Sequence, residues 1–414
     1  MDDKLEYLWT FFSRYGDIYR VRRPSSEADT YVINDPAAVK QVLVSNHRNY
    51  TKGIGIDRVK ILLGNGIMVS EGELWKRQRR MIQPCFQRAV IERFCSQFHN
   101  RSLELVGQWS RLAACGEPVN ITAEMSRFTL QIILDAVFST DLERLSQDTV
   151  GNPFHIITSE SGRDLRFAVK FRALVPVVAG LIEQRRREGS EYFDFLSMLM
   201  AARDRDTGAP MDERQLIDEV LTLVVAGHET TASALNWVWY LLSMHPDAEE
   251  RLHQEVDSRE CPEKLLLDDL LTSSYAEQVI REALRLYPPG WLFTRRAIAH
   301  DRLGGYEVPP GTDIFISPYL LHRHPAHWPE ADAFRPERFE PEVARSRERY
   351  VYIPFVAGPR HCVGESFAMA EMLILLRVAA RRFRLRMAGS QTVELDAGVN
   401  LRTRHPLFMQ LQPR

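Results

Sequence analysis

The chain has 414 residues, 45% of them hydrophobic and 26% charged, an ordinary globular balance with enough apolar material for a large core. A formal charge of -2 gives no basis for a nucleic-acid partner. The five cysteines (Cys85, Cys95, Cys115, Cys261, Cys362) are odd in number and include no C-x-x-C pair; this argues against a disulfide framework, a zinc site or an iron-sulfur site, and fits a reducing compartment.

From Met1 the sequence runs directly into an amphipathic helix pattern over 4–15, ended by Gly16, with neither a signal peptide nor an anchor. No apolar run reaches spanning length, because the candidate Phe167 to Ile182 contains Lys170 and Arg172. The expectation is a cytoplasmic monomer without a membrane anchor. Asp17 to Arg22 and Thr30 to Ile33 alternate in strand fashion around a polar turn, Pro24 to Asp29. Asn34-Asp35-Pro36 supplies N-cap and N1 signals for a helix over 37–44. Glycine and asparagine breakers between Tyr50 and Val69 predict a loop with one short helix.

Trp75 and Arg79 stand one helical turn apart, so an indole N–H and a guanidinium share a face that can bind a carboxylate. Lys76, Arg77 and Arg80 read either as a solvated side or as a basic docking patch for an acidic partner. From Ala89 to Leu142 the pattern is helical, broken at Cys115 to Pro118. A long helix is then expected from Met211 to about Met244. Its centre, Ala226-Gly227-His228-Glu229-Thr230-Thr231, puts small and polar residues into an apolar run. Ala226 and Thr230, four apart, share a face against which a planar group can pack, and Gly227 and the hydroxyls can disturb the backbone ladder. His228 is read as pointing away from that face.

Glu282 and Arg285 form E-x-x-R in apolar surroundings, and Pro336-Glu337-Arg338-Phe339 follows downstream. Arg296 lies five residues before Asp301, in a segment that closes as a hairpin pattern through Thr312. The chemistry-bearing stretch is Phe355 to Glu365, in which Cys362 stands in a tight turn between Gly358 and Gly364, two residues after Arg360 and just before an apolar helix. A thiolate there is held near a helix N-terminus, which lowers its pKa. The arginines from Arg377 to Arg386 read as a solvated edge, and Val399 to Arg414 as a terminal hairpin.

The pattern F-x-x-G-x-R-x-C-x-G at 355–364 resembles the haem-thiolate loop of the cytochromes P450. The segments A-G-x-E-T, E-x-x-R, P-E-R-F and W-x-x-x-R resemble that family's other motifs, in the right order. The resemblance implies a mainly α fold with small β-sheets, in which 1–70 and parts of 288–320 and 390–414 form a β-rich subregion, and 71–285 and 320–390 the helix-rich core. It implies haem b ligated by Cys362, with Phe355, Gly358, Gly364 and Ala226 around it. Trp75, Arg79, Arg296 and Arg360 would meet the propionates, with Arg296 chosen over Arg295 by register. Glu229 would relay protons to dioxygen and Thr230 would hydrogen-bond it, while Glu282, Arg285 and Arg338 lock the scaffold. The function implied is a monooxygenase for an apolar small molecule, with electrons from NAD(P)H through a separate ferredoxin or flavodoxin-type donor and its reductase. A peroxide-driven or non-oxidative haem-thiolate enzyme and a haem sensor are the competing classes. The span between Asp141 and Arg185 is expected to be too short for the family's usual pair of lid helices.

Overall fold

The computed structural model describes residues 2–22, 29–141, 152–159, 165–189, 192–258 and 274–414; the tip of the first hairpin, Leu142 and Cys261 lie outside the described residues. The chain forms two compact units, one of Met1–Ile54, Phe98–Met125 and Thr230–Arg414, the other of Gly55–Gln97 and Ser126–Glu229.

The first unit holds a five-stranded sheet in the order Ile18–Val21, Thr30–Ile33, Asp313–Ile316, Phe293–Ala297, Tyr50–Lys52. Thr30–Ile33 is buried along its whole length because it is covered on both faces, and it runs parallel to Asp313–Ile316. The other pairings are antiparallel. Tyr50–Lys52 is thus a strand where a loop was expected. Asp35 caps the following helix, its carboxylate accepting the Ala38 N–H at 2.6 Å with Pro36 in the first turn. That helix is α only over Pro36–Lys40 and continues as a single π-helical turn, Gln41–Ser45, closed by the Asn46 N–H on the Gln41 carbonyl at 2.8 Å.

At the C-terminus the expected hairpin does not form. Phe408–Pro413 pairs with Phe383–Met387 and with Val119–Asn120, while Leu401–Thr403 pairs with Leu395–Ala397. The alternation explains the choice, since Met409 and Leu411 point inward in register with Met387 and Leu385. Arg384 and Arg386 are not a solvated edge either. Arg386 holds Glu249 through two bonds of 2.7 and 2.5 Å, and Arg384 reaches Glu250 at 2.6 Å.

The scaffold network is present as expected. Glu282 and Arg285 are wholly buried and paired at 2.7 Å, and Arg338 approaches Glu282 at 3.3 Å. Arg285 also donates to the carbonyls of His322, Ala331 and Ala333, which ties the Tyr275–Leu286 helix to the segment leading to the cysteine loop.

In the second unit the span before Arg185 does hold two helices, Leu165–Arg172 and Leu174–Glu188. Only Ala173 separates them, so the pair fits because it dispenses with a loop. Arg185 anchors the second helix from within, bonded to Asp141 at 2.6 Å and Asp194 at 2.7 Å. Arg77 and Arg80, expected to be solvated or to form a docking patch, are tied to the loop after Ala201: Arg80 bonds Asp204 and Asp206, each at 2.9 Å, and Arg77 donates to the Pro210 carbonyl at 2.7 Å. Among the described residues no helix is long and apolar enough to cross a membrane.

Candidate functional site

The cysteine loop is shaped by backbone conformations that few residues accept. Val356 and Gly358 have φ of 64° and 70°, and a short 3-10 turn, Gly358–Arg360, follows. The Val356 N–H bonds the Ile353 carbonyl at 3.1 Å, and the Cys362 N–H reaches back to the Phe355 carbonyl at 2.9 Å, closing the loop. A Cβ at 358 would stand 2.0 Å from the Leu43 carbonyl oxygen, so glycine is required there by an approach of backbone to backbone as well as by φ. Gly364 is the N-cap of the Glu365–Ala380 helix, with φ -90°. Cys362 lies just before that helix, accessible and outside any disulfide.

The other described cysteines are unsuited to ligation. Burial pushes the Cys85 thiol up to about 11 and the Cys95 thiol up to about 12. Cys115, the last residue of the Arg88–Cys115 helix, lies outside the glycine loop. No cluster of three or more His, Cys, Asp or Glu side chains that could hold a bare metal ion occurs among the described residues. A thiol on a closed loop ahead of a helix N-terminus fits a metal already held by an organic ring. Such a loop fits an iron porphyrin, to which Cys362 would offer its sulfur.

In the same unit Arg296 lies on Phe293–Ala297 and makes two bonds to the buried Asp313, at 2.9 and 3.0 Å, which aim a half-exposed guanidinium. Arg295, one residue earlier, faces the opposite side and is buried. Arg360 is half-buried in the loop itself.

The Glu213–Met244 helix begins in the second unit and ends in the first. Asp212 caps it, accepting the Gln215 N–H at 2.7 Å. The helix is buried from Leu221 to Val224 and again from Thr231 to Trp239, but Ala226, Gly227, Glu229 and Thr230 between these stretches are half-exposed. Of the two threonines, Thr230 is the accessible one and Thr231 is buried. A Cβ on Gly227 would come within 2.9 Å of Ile133, so this glycine serves close packing against the Ile121–Phe138 helix. His228 is buried, with its Nε2 3.0 Å from the Ser126 hydroxyl, as expected of a residue turned away. In the second unit Trp75 and Arg79 lie half-buried, one turn apart on Gly72–Ile82.

Sequence reasoning missed two features. The first is the π turn beneath Gly358. The second is a groove of about 790 Å³ below the cysteine loop, bordered by Val44, Val356, Gly358 and the arginines Arg281, Arg345, Arg347 and Arg349. The alternation Arg345-Ser346-Arg347-Glu348-Arg349 is the trace of the groove in the sequence.

The family model described as cytochrome P450 matches residues 2–409. The chain is 34% identical to cyclooctatin synthase of Streptomyces melanosporofaciens, covering 97% of this chain and 89% of the relative. It is 33% identical to cyclooctat-9-en-7-ol 5-monooxygenase of the same organism, covering 92% and 84%. A crystallised cytochrome P450 has the same fold at a TM-score of 0.87, with 24% identity and coverage of 99% and 94%. Together with the thiolate loop and the buried E-x-x-R network, these matches establish that the chain is a member of the cytochrome P450 family of oxidoreductases.

Proposed function

We propose that this chain is a haem-thiolate monooxygenase that inserts one oxygen atom of O2 into an apolar small molecule of terpenoid type. The observation that carries the reading is the closed loop presenting Cys362 ahead of a helix N-terminus. When bound, haem b supplies the iron chemistry of oxygen activation. The protein's own residues do the rest. Cys362 would ligate through its sulfur, while Phe355, Gly358 and Gly364 shape the loop. Arg296, Arg360, Trp75 and Arg79 would hold the two propionates through charge-assisted hydrogen bonds. Ala226 leaves room for the flat ring. Glu229 takes protons from solvent on its carboxylate, and the Thr230 hydroxyl orients the water that passes them on. The terpenoid class is supported by the relatives named cyclooctatin synthase and cyclooctat-9-en-7-ol 5-monooxygenase.

Electrons would come from NAD(P)H through a separate ferredoxin or flavodoxin-type protein and its reductase. The groove beneath the loop supports this part of the reading. Arg345 and Arg349 are exposed cations on its lining, which also carries Glu277 and Glu348, and an acidic donor would gain in encounter rate from the arginines. The test is the carbon monoxide difference spectrum of the reduced protein. A strongly red-shifted Soret band is expected from wild type and its loss from Cys362→Ser. A wild-type band at the histidine-ligated position would overturn the reading. Turnover of a terpenoid alcohol with NADPH, surrogate ferredoxin and reductase then separates a monooxygenase from a peroxide-driven enzyme, which stays silent without peroxide.

A further inference from the structure

The π turn at Gln41–Ser45 is one turn of an intrinsically poor helix, and such a turn persists where other contacts hold it. The contact here is Asp301, more than 250 residues away in sequence. Its Oδ1 accepts the Gln41 side-chain amide at 2.7 Å, and its Oδ2 accepts the Asn46 amide at 3.0 Å and the Tyr50 hydroxyl at 2.6 Å. Gln41 and Asn46 are the two residues joined by the bond that closes the π turn, so one carboxylate grips both ends of it. The Arg302 N–H adds a fourth bond at 2.8 Å, which fixes the carboxylate to its own strand. Burial works to raise the Asp301 pKa, yet these hydrogen bonds together hold it below the usual range, so the carboxylate is charged at neutral pH.

Leu43, in the middle of the gripped turn, is buried, and its carbonyl lies against Gly358. Val39, Val42, Leu43, Ile353 and Ala357 share one apolar cluster, so the turn and the approach to the cysteine loop also pack together. From Gly358 the chain continues through one 3-10 turn to Cys362, whose N–H closes the loop on Phe355. We infer that Asp301 is a positioning residue for Cys362: it fixes the π turn, and the Leu43 carbonyl of that turn fixes the backbone of the thiolate loop. The inference goes beyond the proposed monooxygenase reading, because it concerns how the loop is held rigid.

The test is hydrogen–deuterium exchange on the full-length protein, wild type against Asp301→Asn and Tyr50→Phe. Replacing the charged acceptor raises exchange in 41–46 and in 355–364 by about tenfold or more. The sheet formed by Phe383–Met387 and Phe408–Pro413 keeps its wild-type rate. Tyr50→Phe, which removes one bond of the four, gives a smaller change in the same two segments. The reduced carbon monoxide complex of Asp301→Asn loses part of its thiolate band. The inference is overturned if 41–46 opens while 355–364 keeps its protection, or if all segments loosen equally. Should Asp301→Asn fail to fold, Tyr50→Phe and Asn46→Ala decide by the same comparison. Exchange is read on the loop amides themselves, so this result stands apart from whether Cys362 ligates iron.

Discussion

Replacing Gly358 with alanine separates two reasons for a glycine that are usually confounded. At φ 70° an alanine carries a strain of about 1–2 kcal/mol wherever it sits. At 358 the new Cβ would also stand 2.0 Å from the Leu43 carbonyl oxygen, against an ordinary carbon–oxygen contact of about 3.3 Å. Two backbones must therefore part by more than about 1 Å, and neither is a flexible side-chain end. Gly389 supplies the control, with φ 63° and nothing within 4 Å of its would-be Cβ. Gly389→Ala should lower thermal stability slightly and leave the reduced carbon monoxide spectrum intact. Gly358→Ala should lose most of the thiolate band while retaining native far-ultraviolet circular dichroism. Equal behaviour of the two variants would refute the seating of the loop on Leu43.

Glu282→Gln leaves Arg285 and Arg338 without their buried counter-charge, and a loss of about 3–5 kcal/mol with poor haem retention is expected in urea titrations and in the haem-to-protein absorbance ratio. Thr230→Ala should keep the thiolate spectrum but release peroxide, with less product per NADPH consumed; full coupling would remove Thr230 from the proton path. Glu371, on the Glu365–Ala380 helix, is wholly buried with neither carboxylate oxygen bonded to a protein group, and burial holds its pKa well above the ordinary 4.5. A raised carboxyl pKa means a contribution that is complete below the unfolded value and lost as pH climbs through the folded one, at up to about 1.4 kcal/mol per pH unit. Glu371→Gln should flatten that decline in urea midpoints measured across pH. An unchanged profile would mean the carboxyl is not held neutral.

The cysteine loop was legible because its demands are local: a turn, a charge and a thiol fall within ten residues. The long helix was legible too, from its helical run out to about Met244 and from the unusual small residues at its centre. What was hidden depends on partners distant in sequence. Nothing near Phe408–Pro413 says that its neighbours are Phe383–Met387 and Val119–Asn120, since any alternating strand could accept it. Arg384 and Arg386 read as surface charges until Glu249 and Glu250 are brought opposite them. The fourfold bonding of Asp301 has no trace around 301, because three of its donors lie between 41 and 50. Helix pairing before Arg185 was misjudged from length alone, where a single residue does the work of a loop.

The parallel pairing of Thr30–Ile33 with Asp313–Ile316 also sets an order of events during synthesis. A buried parallel strand cannot be completed by its neighbour in sequence, so the first hairpin waits on the ribosome for most of the chain to emerge. At the usual pace of about 5–20 residues per second this is a delay of roughly 15–60 seconds. Tyr50 can be seated only once Phe293–Ala297 has emerged, Asp301 follows shortly after, and Cys362 emerges later still. Assembly of the site therefore comes late in synthesis, and a nascent chain stalled before 313 should lack both the completed sheet and the thiol.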